Sequence, residues 1–285
     1  MTEDEIILTS ILQCRSMDLA VNKPVLTTFQ QEQFECYKRR REDGEPLQYI
    51  LGTCNFMGLD LMVNPSVLIP RPETEQLVDA ALKQLTLSFP NVADPAKDGT
   101  FVGNPIKILD LGTGSGNIAI ALAKFVPGSK IVSVDVSAKA LEVARANARA
   151  HLLESSIEFI HKDLNDYCAF IVNDKFDLII SNPPYIPTSQ LSSLPQDVQE
   201  EPMRALDGGE DGLDFYRIII KYTPFLLRSD ACLMMEFGDA CPAKGGGQQP
   251  QSDEIRAMIE KTKSFSNIEI IQDLAGRDRI IKAIL

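Results

Sequence analysis

"I-K-I-L-D-L-G-T-G-S-G-N" occupies residues 106–117, an apolar run that breaks into glycines at alternate positions. The run reads as a buried strand, and Gly112, Gly114 and Gly116 take away the side chains that would keep a ligand off the backbone. A helix opening near Ile118 turns its N-terminus toward that loop, where an anionic group such as a carboxylate is favoured. A G-x-G loop can also be only a tight turn, so its neighbours decide.

Downstream, apolar runs alternate with amphipathic stretches: "K-I-V-S-V-D" (130–135), a helix from Ala138 to His151, "I-E-F-I" (157–160), "F-D-L-I-I" (176–180) and "A-C-L-M-M-E-F" (231–237). Such alternation predicts βαβ units, with a parallel sheet covered by helices on both faces. A helix within 213–227 contains Pro224 and is expected to bend there. "I-E-I-I-Q-D-L" and "R-I-I-K-A-I-L" are joined by "A-G-R-D", and so short a link requires an antiparallel pair.

Upstream, Glu3 to Asp43 is helical in pattern, with Ile7, Ile11 and Leu12 on one face and Thr28 as a candidate N-cap. "Q-Y-I-L-G" and "L-D-L-M-V", separated by Gly52 and Gly58, read as the extended runs of a hairpin. "V-L-I-P-R-P-E-T-E" (67–75) starts a helix through Leu82, with Pro72 first and Glu73 and Glu75 in its first turn. Residues 88–105, rich in Pro, Gly, Asn and Asp, read as a surface loop. The expected division is a helical domain over 1–45, a hairpin connector over 46–70 and an α/β domain over 71–285.

The 285 residues carry a formal net charge of −12, which argues against broad affinity for nucleic acid, since that depends on neutralising phosphates. The basic run Lys38 to Arg41 is followed at once by Glu42 and Asp43 and reads as a solvated helix end. Six cysteines are scattered without a C-x-x-C pair or a histidine cluster, so neither a metal site nor a disulfide framework is expected. The acidic start is unlike a targeting peptide, and no apolar stretch approaches the roughly 20 residues that span a bilayer. A cytoplasmic location, with no membrane partner, is the expectation.

Asp135 ends the strand after the glycine loop, where an acid can accept both hydroxyls of a ribose. It could instead serve the following helix, a task for which Ser137 competes. The G-x-G-x-G spacing falls short of the dinucleotide fingerprint. S-adenosylmethionine, with a ribose and a carboxylate but no phosphate, suits the loop better than NAD.

"S-N-P-P-Y-I-P" (181–187) follows the next buried strand, and its prolines end the sheet and stiffen the chain. Asn182 offers an amide carbonyl, the adjoining proline a main-chain carbonyl, and Tyr185 an aromatic wall. Two acceptors and a wall recognise a planar NH2 group and can hold its nitrogen facing a sulfonium methyl.

These stretches, together with "G-E-P-L-Q-Y-I-L-G" (44–52), "I-P-R-P-E-T-E" and "D-L-A-G-R-D-R" (273–279), give a sequence that resembles the bacterial release-factor glutamine methyltransferases (PrmC, also called HemK) over nearly its whole length. The resemblance implies a seven-stranded, Rossmann-like S-adenosylmethionine-dependent methyltransferase domain with a small N-terminal helical domain that helps dock the release factor. It implies N5-methylation of the glutamine in that factor's Gly-Gly-Gln motif, with no direct binding of nucleic acid. By position, Gly112, Thr113, Gly114, Ser115, Gly116, Asp135 and Asn182 bind the cofactor, and Leu164 stands beside the adenine where the family often has an aromatic residue. Asn182, Pro183, Pro184 and Tyr185 bind the glutamine, Asn182 and Pro183 being the catalytic pair.

The rival reading is an N6-adenine nucleic-acid methyltransferase, which would use Asn182 to Tyr185 on a flipped base and should carry a basic target-recognition segment. The Gly-rich acidic stretch 200–213 also looks like the family but reads equally as a solvated connector, with no catalytic role. Gly246-Gly247-Gln248 repeats the family's substrate tripeptide within a Gly/Gln-rich linker; a chance match is the simple reading, and entry of Gln248 into the Asn182 to Tyr185 pocket the sharper one.

Overall fold

The computed structural model describes residues 1–21, 24–89, 104–171, 174–238 and 250–285. Helices α1 (Glu3–Leu12), α2 (Ser16–Val21), α3 (Thr28–Glu42) and α4 (Leu47–Leu51) come first, followed by the antiparallel hairpin β1 (Thr53–Phe56) and β2 (Leu59–Met62) and by α5 (Pro72–Ser88). Then β3 (Lys107–Leu111), α6 (Asn117–Phe125), β4 (Lys130–Asp135), α7 (Ala138–Ala150), β5 (Ile157–His161), α8 (Leu164–Phe170) and β6 (Phe176–Ser181) alternate. A 3-10 turn (Thr188–Ser193), α9 (Gln196–Gln199) and α10 (Met203–Leu206) lead to α11 (Asp214–Leu226), β7 (Leu227–Glu236), α12 (Gln251–Thr262), β8 (Asn267–Gln272) and β9 (Asp278–Ile284).

Seven strands form one sheet in the order β5-β4-β3-β6-β7-β9-β8, parallel except for β9, which is antiparallel to both neighbours. Alternate residues of each strand enter opposite cores. Ile108, Leu178, Ile180 and Met234 pack with α5 and α6, and Leu109, Ile179, Leu233 and Met235 with α8, α11 and α12. Burial on both faces is why these strands are continuous apolar runs. The chain leaves β3 toward β5 and then crosses to β6, so the topological switch lies between β3 and β6. In open α/β sheets ligands bind there, outside the carboxyl ends of the strands.

Several local expectations are corrected. Gln48 to Leu51 is helical rather than extended: Pro46 and the left-handed Gly52 bracket a single turn that buries Leu47, Tyr49 and Ile50, and the Tyr49 hydroxyl donates to the Val67 carbonyl at 2.6 Å. The hairpin therefore begins at Thr53. Thr27, not Thr28, caps α3, in a capping box closed by Gln30. The basic run at the end of α3 is ion-paired within the chain, Lys38 to Asp4, Arg40 to Glu45 and Arg41 to both Glu3 and Asp197. Helix α11 continues past Pro224 to Leu226, and α5 runs on to Ser88. Most of the loop expected over 88–105, and the tripeptide Gly246-Gly247-Gln248, lie outside the described residues. Among those described, no helix is long and apolar enough to cross a membrane.

Candidate active site

Strand register assembles the site. Leu111 pairs with Val134 on one side and with Ser181 on the other, and Ser181 pairs with Met235. The next residues, Asp135, Gly112, Asn182 and Glu236, therefore stand side by side along the carboxyl edge, each from a different strand. The Ser181 hydroxyl reinforces the β3–β6 contact by donating to the Leu111 carbonyl at 2.6 Å.

Beyond Leu111 the glycine loop is held from several directions. The N–H groups of Gly112 and Thr113 donate to the Val134 carbonyl, and Asn147 on α7 donates to the carbonyls of Ser115 and Met62. A Cβ on Gly112 or Gly114 would meet nothing within 4 Å, so the loop's outer side is open. Gly116 serves the fold instead: at φ +82 it caps α6, and a Cβ there would come within 3.1 Å of Ala144 and Ile120. Thr113 and Ser115 are buried under the loop, where their hydroxyls and Asp110 Oδ1 lack hydrogen-bond partners. Burial pushes the Asp110 carboxyl up to about 7.

Asp135 accepts the Gly114 N–H on one oxygen and the Ser137 N–H on the other, each at 2.8 Å. Ser137 takes the N-cap of α7, which frees Asp135 for the loop. Burial raises the Asp135 carboxyl above its ordinary value, opposed by those two N–H groups and by Arg204.

Two clefts meet at this edge. The first, of about 130 Å³, is lined by Gly112, Gly114, Asp135, Lys162, Leu164, Asn182, Pro183 and Pro184, together with Arg204 and Ala205. The second, of about 120 Å³, is lined by Arg71, Asn182, Pro183, Tyr185, Val198 and Leu206. Asn182 and Pro183 border both. Among the expected site residues, Thr113, Ser115 and Gly116 thus lie behind the first cleft rather than on its wall, and Tyr185 faces the second.

Asn182 Nδ2 donates to the Thr74 hydroxyl at 2.9 Å, and no donor among the described residues reaches Asn182 Oδ1 or the Pro183 carbonyl. Two free acceptors therefore stand where the clefts join. Tyr185 is fixed behind them: Gln251 donates to its carbonyl at 3.1 Å, and its ring lies so close to Gly238 that a Cβ there would approach it to 2.7 Å.

The stretch 200–213 is not a solvated connector. Gly212, at φ +78, lies against the Tyr185 carbonyl, and Gly208 and Ile186 bond through their backbones. Glu201 is buried, accepting the Ile69 N–H at 2.9 Å and pairing with Arg71. Pro202, Arg204 and Ala205 roof the first cleft, and α9 beside them reaches the helical segment through Gln196 Nε2 on the Asp43 carbonyl at 3.1 Å.

Sequence reasoning missed Thr74, Asp110, Glu201 and Glu236. Glu236 had a signal: a carboxylate inside an apolar strand run is a buried charge that needs a reason.

The sequence matches the family described as Methyltransferase small domain over residues 100–209 and the PrmC N-terminal domain over residues 2–52. It is 38% identical over 244 residues to a release factor glutamine methyltransferase of Moorella thermoacetica, covering 86% of this chain and 76% of that protein. A protein of the same name from Geobacter sulfurreducens is 41% identical over 248 residues (85% and 74%), and one from Bacillus anthracis 32% identical over 281 residues (98% and 90%). Among solved structures, the hMettl16 catalytic domain in complex with the MAT2A 3'UTR hairpin 6 superposes with a TM-score of 0.56 at 14% identity, over 90% of this chain and 80% of that one. At that identity the likeness is one of fold.

Proposed function

Since the chain belongs to the release factor glutamine methyltransferase family, we propose that it transfers a methyl group from S-adenosylmethionine to N5 of the glutamine in the Gly-Gly-Gln motif of a peptide chain release factor. The observation that carries this reading is the shared wall of the two clefts, where Asn182 Oδ1 and the Pro183 carbonyl are unused acceptors.

The first cleft fits the cofactor. Its glycine side is open to close approach, Asp135 can accept ribose hydroxyls with its remaining lone pairs, and Leu164 gives an apolar surface for the adenine. Asp110 Oδ1, buried without a partner beneath the loop, suits the field of an ammonium group. S-adenosylmethionine supplies an electrophilic methyl group. The chain supplies placement: Asn182 Oδ1 and the Pro183 carbonyl accept the two N–H bonds of the glutamine amide, aim its nitrogen across the shared wall, and stabilise positive charge growing on it. Tyr185 walls the amide on the far side.

Incubating the protein with methyl-labelled S-adenosylmethionine and a purified release factor, then mapping the label by mass spectrometry, should find it on the Gly-Gly-Gln glutamine. Label recovered instead on adenine N6 of added nucleic acid would overturn the reading in favour of the rival.

The N-terminal helices serve docking in this reading. Val25, just before α3, is 96% exposed, and Phe29, in the first turn of α3, is 73% exposed, so both present apolar surface to solvent. Val25→Asp with Phe29→Asp should raise KM for the intact release factor by roughly 10-fold, as when interface anchors are lost, with kcat and cofactor affinity kept. Unchanged KM would rule out this surface.

A further inference from the structure

An asparagine amide can turn over, exchanging its carbonyl for its NH2, so a site that needs Asn182 Oδ1 facing an NH2 group must also fix which way the amide points. Turned over, Asn182 would set donors against donors. The hydroxyl of Thr74 does not settle the matter alone, because a hydroxyl both donates and accepts and could serve either orientation.

Glu236 breaks that symmetry. The Thr74 hydroxyl also stands close enough to the Glu236 carboxylate to favour its charged form, and an ionised carboxylate only accepts. The single hydroxyl proton is then committed to Glu236, and the oxygen's lone pair is left for Asn182 Nδ2, the contact seen at 2.9 Å. Register supports the arrangement, since the pairing of Ser181 with Met235 sets Glu236 beside Asn182, and Thr74 comes down on both from the first turn of α5. Thr74 and Glu236 are each 1% exposed and neither lines a cleft. A buried carboxylate with Oε2 unpartnered among the described residues is costly, and core packing does not account for it.

We propose that Thr74 and Glu236 are positioning residues for methyl transfer: they direct the hydrogen bonds from Asn182 to Thr74 to Glu236 and so hold Asn182 Oδ1 toward the acceptor nitrogen. The proposal rests on the reading of Asn182 as a ligand of the glutamine amide. It carries a pH signature. Burial pushes the Glu236 carboxyl up to about 7, with Glu73 on α5 adding to the push, and Thr74, Arg279 on β9 and Arg71 opposing it. Tyr185 packs nearby, and the Tyr216 hydroxyl on α11 donates to the Glu236 carbonyl rather than to its carboxylate. Protonated Glu236 can donate to Thr74, which reverses the relay and favours the turned amide, so activity falls on the acid side of about 7.

The test compares kcat/KM for release factor across pH 6–9 in wild type, T74V, T74S, E236Q and N182A, with cofactor binding followed by calorimetry. T74V should lose roughly 10-fold, the value of one oriented hydrogen bond with its donor left unsatisfied, while cofactor affinity stays within about twofold. T74S, which keeps the hydroxyl, should recover most of that loss. E236Q, whose amide can donate as well as accept, no longer fixes the direction of the relay and should show reduced activity at pH 8, with the acid limb near 7 lost. Wild-type activity in T74V, or the wild-type pH profile in E236Q, overturns the proposal while N182A remains inactive. An active N182A would instead overturn the reading of the site beneath it.

Discussion

Asn182→Ala should slow methyl transfer by about 10²–10³-fold, the usual cost of deleting one preorganised polar group that acts on developing charge. The substitution removes one of the two free acceptors at the shared wall and leaves the Pro183 carbonyl alone to orient the amide. A nitrogen held by one hydrogen bond can rotate out of line, and the alignment on which an intramolecular-like reaction depends is lost. The cleft proposed for the cofactor is also lined by Gly112, Gly114 and Asp135, so affinity for S-adenosylmethionine should change only a few-fold. Single-turnover rates with saturating release factor, read beside a calorimetric titration, separate the two effects. A variant that keeps more than half of the wild-type rate would remove Asn182 from the chemistry.

Asp135→Ala should act in the opposite way, on binding. A hydrogen bond to a charged acceptor is worth roughly 1.5–3 kcal/mol, so the Kd for S-adenosylmethionine should rise by about 10–150-fold. The carboxylate also ties down the Gly114 N–H at 2.8 Å, and its loss loosens the loop that the cofactor must contact. Asp135→Asn keeps a single carbonyl oxygen for these tasks and should fall between wild type and Asp135→Ala. With saturating cofactor, kcat should recover most of its wild-type value in both. Unchanged affinity by titration would make Asp135 purely a structural tie between Gly114 and Ser137.

What the sequence disclosed follows from range. Strands such as 106–111 and 176–180 announce themselves because both faces are buried, and the residues that end them, Gly112 and Asn182, inherit their place from the sheet. A Pro-Pro step and a glycine loop are local signals, legible without the fold. Thr74 and Glu236 are not, since their meaning is a contact with Asn182 across 108 residues for the first and across a strand pair for the second. Gly116 has the right spacing for a ligand loop, yet only the position of Ala144 on α7 reveals that packing requires it. At Leu47 to Leu51 alternation was a poor guide, because five residues satisfy either period and the brackets of Pro46 and Gly52 decide.

The row Asp135, Gly112, Asn182, Glu236 also bears on how the protein gains and loses activity. Its spacing is that of neighbouring strands, about 4.8 Å, and is kept by backbone ladders rather than by the loops themselves. The ladder between β3 and β6 joins residues 70 apart in the chain, with the Ser181 to Leu111 bond at its edge. Such long-range pairing carries a larger loop-closure cost than local helices and is expected to close after them. A partly folded chain that has completed only the glycine-loop half lacks the wall between the clefts altogether, so competence to transfer a methyl group arrives in one step with the closing of the central sheet and departs with its opening.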